Sequence, residues 1–159
     1  MLRVSLVAIP LIIASGAAFA AQSNGNAALA LAALVGEQSP ALGSNEKMVL
    51  ARFLAGETNF VLPAGVHQIV IKADKITCRS GDVSIVEHSC ILSFGAARVR
   101  EPGRAGQELL ATLQQNGVEA NGAAGTIYYT VAPIECRVDA ATVQSNDGGG
   151  ARCDYTNGP

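Results

Sequence analysis

Residues 69–79 read IVIKADKITCR, and residues 127–137 read IYYTVAPIECR. The two phrases lie 58 positions apart, and Ile69, Ile76, Cys78 and Arg79 coincide with Ile127, Ile134, Cys136 and Arg137. Both are rich in β-branched residues, so both predict strands. In the first, Ile69 and Ile71 share one face, but Ile76 and Cys78 fall out of phase with them. A one-residue slip reverses the faces of a strand, so a bend or bulge is expected between Ala73 and Lys75. In the second, Ile127, Tyr129 and Val131 alternate with Tyr128 and Thr130 until Pro133, which lacks a backbone donor. The pattern resumes at Ile134, Cys136 and Val138, again with a change of phase.

Each phrase is followed by one more cysteine, Cys90 in the first copy and Cys153 in the second. Four cysteines allow three pairings. The repeat favours Cys78–Cys90 and Cys136–Cys153, because each bridge then stays within one copy. Their spacings of 12 and 17 residues contain no CxxC pair, which argues against a structural zinc site or thiol exchange. No calcium-loop spacing links Asp139, Asp147 and Asp154, so no metal site is expected, and no cofactor.

Working outward, residues 45–55 predict a helix with Ser44 as its cap, Val49, Leu50, Phe53 and Leu54 on one stripe and Gly56 as its stop. Residues 104–115 predict a second, with Leu109, Leu110 and Leu113 together. Residues 83–94 read as returning strand after a turn at Ser80-Gly81-Asp82. Residues 95–103 and 119–125 read as connections, Asp147 to Gly150 as a hairpin tip, and the last strand surrounds Cys153. The expected fold class is α+β: two tandem helix-plus-antiparallel-strand units, 44–95 and 104–156, forming one helix/sheet layered, disulfide-stapled domain over 44–159. Residues 21–43 read as a flexible or partly helical N-terminal segment, with a short helix over 27–35.

The first 20 residues, MLRVSLVAIPLIIASGAAFA, have a positive start, an apolar stretch and small residues at Ala18 and Ala20. This pattern is that of a secretory signal peptide cleaved after Ala20. It implies a periplasmic or secreted protein in an oxidising compartment, where disulfides persist. No later segment predicts a membrane span. Without the leader the chain has ten basic and thirteen acidic side chains and no lysine–arginine cluster. Nucleic-acid binding needs a basic face, so that class is set aside. Arg98, Arg100 and Arg104 read as a solvated connection.

The arrangement resembles that of secreted β-lactamase inhibitor proteins, which also combine two helix-plus-sheet units with disulfides. The resemblance matches no functional residue. Catalytic residues are none: His67 and His88 lie in strand-like segments near Glu87, Ser80, Ser84, Ser89 and Asp82, without a nucleophile-elbow sequence. Arg79 and Arg137 are expected to project from the exposed side of the sheet. With Tyr128, and with Thr77, Glu135 and Asp82 nearby, they form the candidate contact surface for a protein partner. The functional expectation is a small exported, noncatalytic protein-binding or inhibitory module. A structural envelope-associated protein and a small secreted hydrolase are the alternatives.

Overall fold

The computed structural model describes residues 19–80, 90–101, 103–123 and 126–158. Residues 1–18 of the 20-residue leader, the turn at Gly81 and Asp82, and residues 83–89 with Ser84, Glu87, His88 and Ser89 lie outside the described residues. The elements run β1 (Phe19–Asn24), α1 (Gly25–Gln38), α2 (Ser44–Leu54), β2 (Gln68–Ala73), β3 (Lys75–Ser80), β4 (Cys90–Phe94) and β5 (Ala97–Glu101). They continue with α3 (Gly103–Gln115), β6 (Ala120–Ala123), β7 (Thr126–Asp139), α4 (Ala140–Ser145) and β8 (Ala151–Asn157). All eight strands join one unclosed antiparallel sheet in the order β1-β8-β7-β3-β4-β5, with β2 and β6 also paired to β7.

The two repeated phrases pair with each other. β7 runs antiparallel to β2 along its C-terminal half (Ile71 opposite Cys136) and to β3 along its N-terminal half (Cys78 opposite Tyr129). Advancing one member by 58 positions and withdrawing the other by 58 turns the second pair into the first, and the same holds for every β3–β7 pair. The two phrases are therefore related by a local twofold axis that passes between Asp74 and Lys75 and between Ala132 and Pro133. The phase changes read from the sequence sit on this axis. Ile69, Ile71 and Ala73 are buried before it and Ile76 and Cys78 after it. On β7 the register breaks between Val131 and Ile134, around a cis Ala132–Pro133 bond.

Both expected disulfides are present, and each joins directly opposed residues: Cys78 with Cys90 across β3–β4, and Cys136 with Cys153 across β7–β8. All four half-cystines face the core. A helix lies over each outer one. The Sγ of Cys90 is 3.3 Å from the Gly106 carbonyl oxygen in α3, and that of Cys153 is 3.4 Å from the Ala28 carbonyl oxygen in α1. Gly106 and Ala28 are each the fourth residue of their helix. By position, β1 and α1 thus correspond to β5 and α3.

The helix that matches α3 is α1, not α2, which packs on α1 and α4 rather than on the sheet. Residues 21–43, expected to be flexible or partly helical, contain α1, which supplies Ala28, Leu29, Leu31, Ala32, Ala33 and Val35 to the core, each fully buried. Its small residues admit neighbours on nearly every side, so it lacks the polar face that marks a surface helix. Gly36 shows how close they come: a Cβ there would lie 2.5 Å from Leu50 Cδ1 of α2. The α2 cap is Gly43, whose backbone N–H donates to Glu46 Oε2 at 2.6 Å, and Ser44 is the first helical residue.

Two segments read as connections, and a third left unassigned, are structured. Residues 97–101 form edge strand β5, residues 120–123 form β6, and residues 140–145 form α4, capped by the Asp139 carboxylate accepting from Ala141 N–H at 2.9 Å. Asn116, at the end of α3, fastens the two arms together. Its side chain accepts from Ser23 Oγ and donates to the Ala27 carbonyl (3.2 Å), while its own carbonyl accepts from Tyr155 Oη.

Candidate functional site

Alternation along each strand sends one set of side chains into the helix-covered core and the other to the opposite face. No described element covers that opposite face. On β3 it displays Lys75, Thr77 and Arg79; on β4, Ile91 and Ser93; on β5, Arg98 and Arg100. On the other side of the twofold axis, β2 displays Gln68, Val70 and Lys72, β7 Glu135, Arg137 and Asp139, and β8 Arg152 and Asp154.

Arg79 and Tyr128 are directly opposed across β3–β7, so the structure brings these two candidate residues together. Arg137 shares their face but stands nine residues along β7 from Tyr128, roughly 25–30 Å at strand rise. It is the twofold mate of Arg79, with Val70 in the place of Tyr128. The candidate surface is thus two separated arginine sites rather than one.

The two sites differ in electrostatics. Around Arg137 three cations (Lys72, Arg137, Arg152) meet three carboxylates (Glu135, Asp139, Asp154). Glu135 takes Lys72 at 2.9 Å and Arg137 at 2.8 Å, and Asp154 takes Arg152 at 2.8 Å. The Lys72 ammonium first, and then the Arg137 guanidinium, hold the Glu135 carboxyl below the usual carboxylate range. Arg152, helped by the Gln22 side chain at 2.8 Å, does the same for Asp154. A groove of about 570 Å³ lies beside these pairs at the phase break, between Lys72, Asp74, Pro133, Glu135 and Asp154.

Around Arg79 the outward positions of β3, β4 and β5 hold four cations and no carboxylate: Lys75, Arg79, Arg98 and Arg100. Asp74, at the boundary, accepts from the Gly95 backbone N–H in the β4–β5 turn. Strand spacing sets the cations roughly 7–16 Å apart. At about 10 Å two like charges in water repel by only ~0.4 kcal/mol, so the strands tolerate the cluster with no carboxylate among their own outward described positions. Ile91 (38% exposed) and Tyr128 (37% exposed) are set among them. Among the described residues the Nε of Arg79 is buried without a hydrogen-bond acceptor. Sequence reasoning missed Arg98 and Arg100 as part of this surface because it read β5 as a connection. The Arg-Val-Arg alternation at 98–100 was the available signal.

His67 is exposed and precedes β2; its carbonyl accepts from Ala140 N–H at 2.9 Å. It lines a small cleft with Asp139, whose carboxylate is occupied by the α4 cap. Tyr155, buried beneath α1 and α3, has its phenol pushed up by burial. Among the described residues no three metal-ligating side chains converge, and no helix is long and apolar enough to cross a membrane. No protein-family model, curated protein or solved structure matches this chain.

Proposed function

We propose that this chain is a small exported, noncatalytic module that binds another protein through the uncovered face of its sheet. The observation that carries the reading is the pairing of Arg79 with Tyr128 on a face where no described element packs. Arginine and tyrosine combine large contact area with directional donors and recur at the centres of protein interfaces. Two disulfides hold the sheet beneath them, so the surface is preorganised and little ordering entropy is lost on binding. Export is supported by the leader pattern of residues 1–20 and by the oxidised cysteines. Whether binding inhibits the partner is a property of the partner's own active surface.

The test is affinity capture by the oxidised, folded protein from envelope and culture-medium extracts, followed by titration of the captured partner. Arg79→Ala and Tyr128→Ala each weaken that partner at least tenfold while the circular dichroism and both disulfides stay unchanged. Undiminished binding by both variants rules the face out.

A further inference from the structure

We infer that the binding half of the face is the one built from β3, β4 and β5, and that its partner presents an acidic protein surface with an apolar centre. The inference rests on the reading of the open face as the binding surface and deepens it by naming the half and the partner's chemistry.

Charge selects the half. The outward positions around Arg137 are balanced, three cations against three carboxylates: Glu135 and Asp154 hold the three cations in ion pairs, and Asp139 caps α4. A partner docking there must break those pairs or leave them in place and gain little. The outward positions around Arg79 carry four positive charges within one patch. An incoming set of carboxylates gains four charge-assisted contacts there and displaces no described ion pair.

Shape and polarity select a protein rather than a polyanion. The cations frame the exposed side chain of Ile91 and flank that of Tyr128. A protein interface of this kind has an apolar or aromatic centre with a charged rim. A phosphate backbone needs a continuous basic track instead, and the chain as a whole is acidic, with a formal net charge of −2. The patch therefore stands out against the rest of the molecule. Opposite charge on a partner steers its approach as well as its docking.

The experiment measures binding of the folded, oxidised protein to an immobilised glutamate–tyrosine random copolymer as the acidic, aromatic probe. Parallel surfaces carry polyglutamate, heparin and phosphatidylglycerol vesicles. The wild type binds the copolymer more tightly than any of the other three, and binding weakens as salt rises. The double variant Arg98→Glu/Arg100→Glu loses at least tenfold, whereas Arg137→Ala/Arg152→Ala stays within twofold. Both pairs lie on exposed strand positions, and a thermal melt confirms that each variant folds. Equal losses in the two variants, or tighter binding to heparin or vesicles, overturn the inference. A captured partner that is lost on Arg137→Ala but retained by Arg98→Glu/Arg100→Glu overturns the choice of half while leaving the open-face reading intact. A partner indifferent to every open-face variant removes both.

Discussion

The two ends of the uncovered sheet face share one backbone plan and carry opposite electrostatic solutions. Around Arg137, carboxylates from neighbouring positions meet each cation, so the face is neutral and its charges are spent internally. Around Arg79, the positions related to Lys72, Glu135 and Asp154 hold the neutral Thr130, Thr77 and Ile91, while Lys75, Arg98 and Arg100 stand nearby with no outward carboxylate on β3, β4 or β5. The backbone relation shows that neither arrangement is forced by the strand pairing. Geometry places an arginine at both mates; the neighbours decide whether it is a structural ion or an unspent donor.

The disulfides give the largest test of that relation. Removing either bridge by a double Cys→Ala change is expected to cost about 3 kcal/mol, because each closes a short loop in the unfolded chain. The loop lengths alone separate the two costs by only about 0.3 kcal/mol. Denaturant midpoints that differ by much more would show that the halves are unequal in how they use the bridge.

Asn116→Ala comes next. It leaves Ser23 without its acceptor and removes the link from α3 to the Ala27 carbonyl, so a loss of about 2–3 kcal/mol in unfolding free energy is expected. The position corresponding to Asn116 in α1 is Gln38; Gln38→Ala should change stability far less. The helices supply a third contrast. Gly36→Ala drives a methyl into Leu50 and should cost about 1–3 kcal/mol by overpacking. Gln114→Ala, at the corresponding exposed position of α3, should stay within about 0.5 kcal/mol. Thermal melts of the pair test whether the tight α1–α2 crossing is confined to one arm.

The smallest effect concerns acid. Glu135 and Asp154 have depressed pKa values in the folded state. Their contribution is full above the ordinary carboxylate values of about 4, and it is lost as pH falls through the lower folded values. Amide exchange followed below pH 4 should therefore show β2, β8 and the C-terminal half of β7 losing protection before β4 and β5. Glu135→Gln with Asp154→Asn should flatten that dependence. The solvent exposure of these groups keeps the expected change small.

The central strands, their phase changes and both disulfides were legible because each leaves a local mark: alternation, a proline, and cysteines at repeated places. The α2 and α3 helices were legible for the same reason, through apolar stripes at helical spacing. What was missed depends on distant partners. β1 has no pattern of its own and exists because β8 lies beside it. The four residues of β6 are ordered by pairing with β7. In α1 the short helix over 27–35 was legible, but its small side chains concealed that it belongs to the core. The arginine site at Arg79 and Tyr128 was legible as residue types, but its cationic surround required knowing that residues 97–101 pair with β4.

One pairing has a consequence for the order in which the molecule can assemble. β5 is joined to β4 by a two-residue turn at Gly95 and Ala96, so that hairpin can close as soon as its residues exist. β1 bonds to β8 alone, Ala21 opposite Tyr155. Closing so long a loop adds little to its thermodynamic cost, since that cost grows only logarithmically with length, but it delays the contact. A polypeptide delivered amino end first must therefore carry its opening strand unmatched until its closing residues arrive, and the far margin of the sheet is completed last.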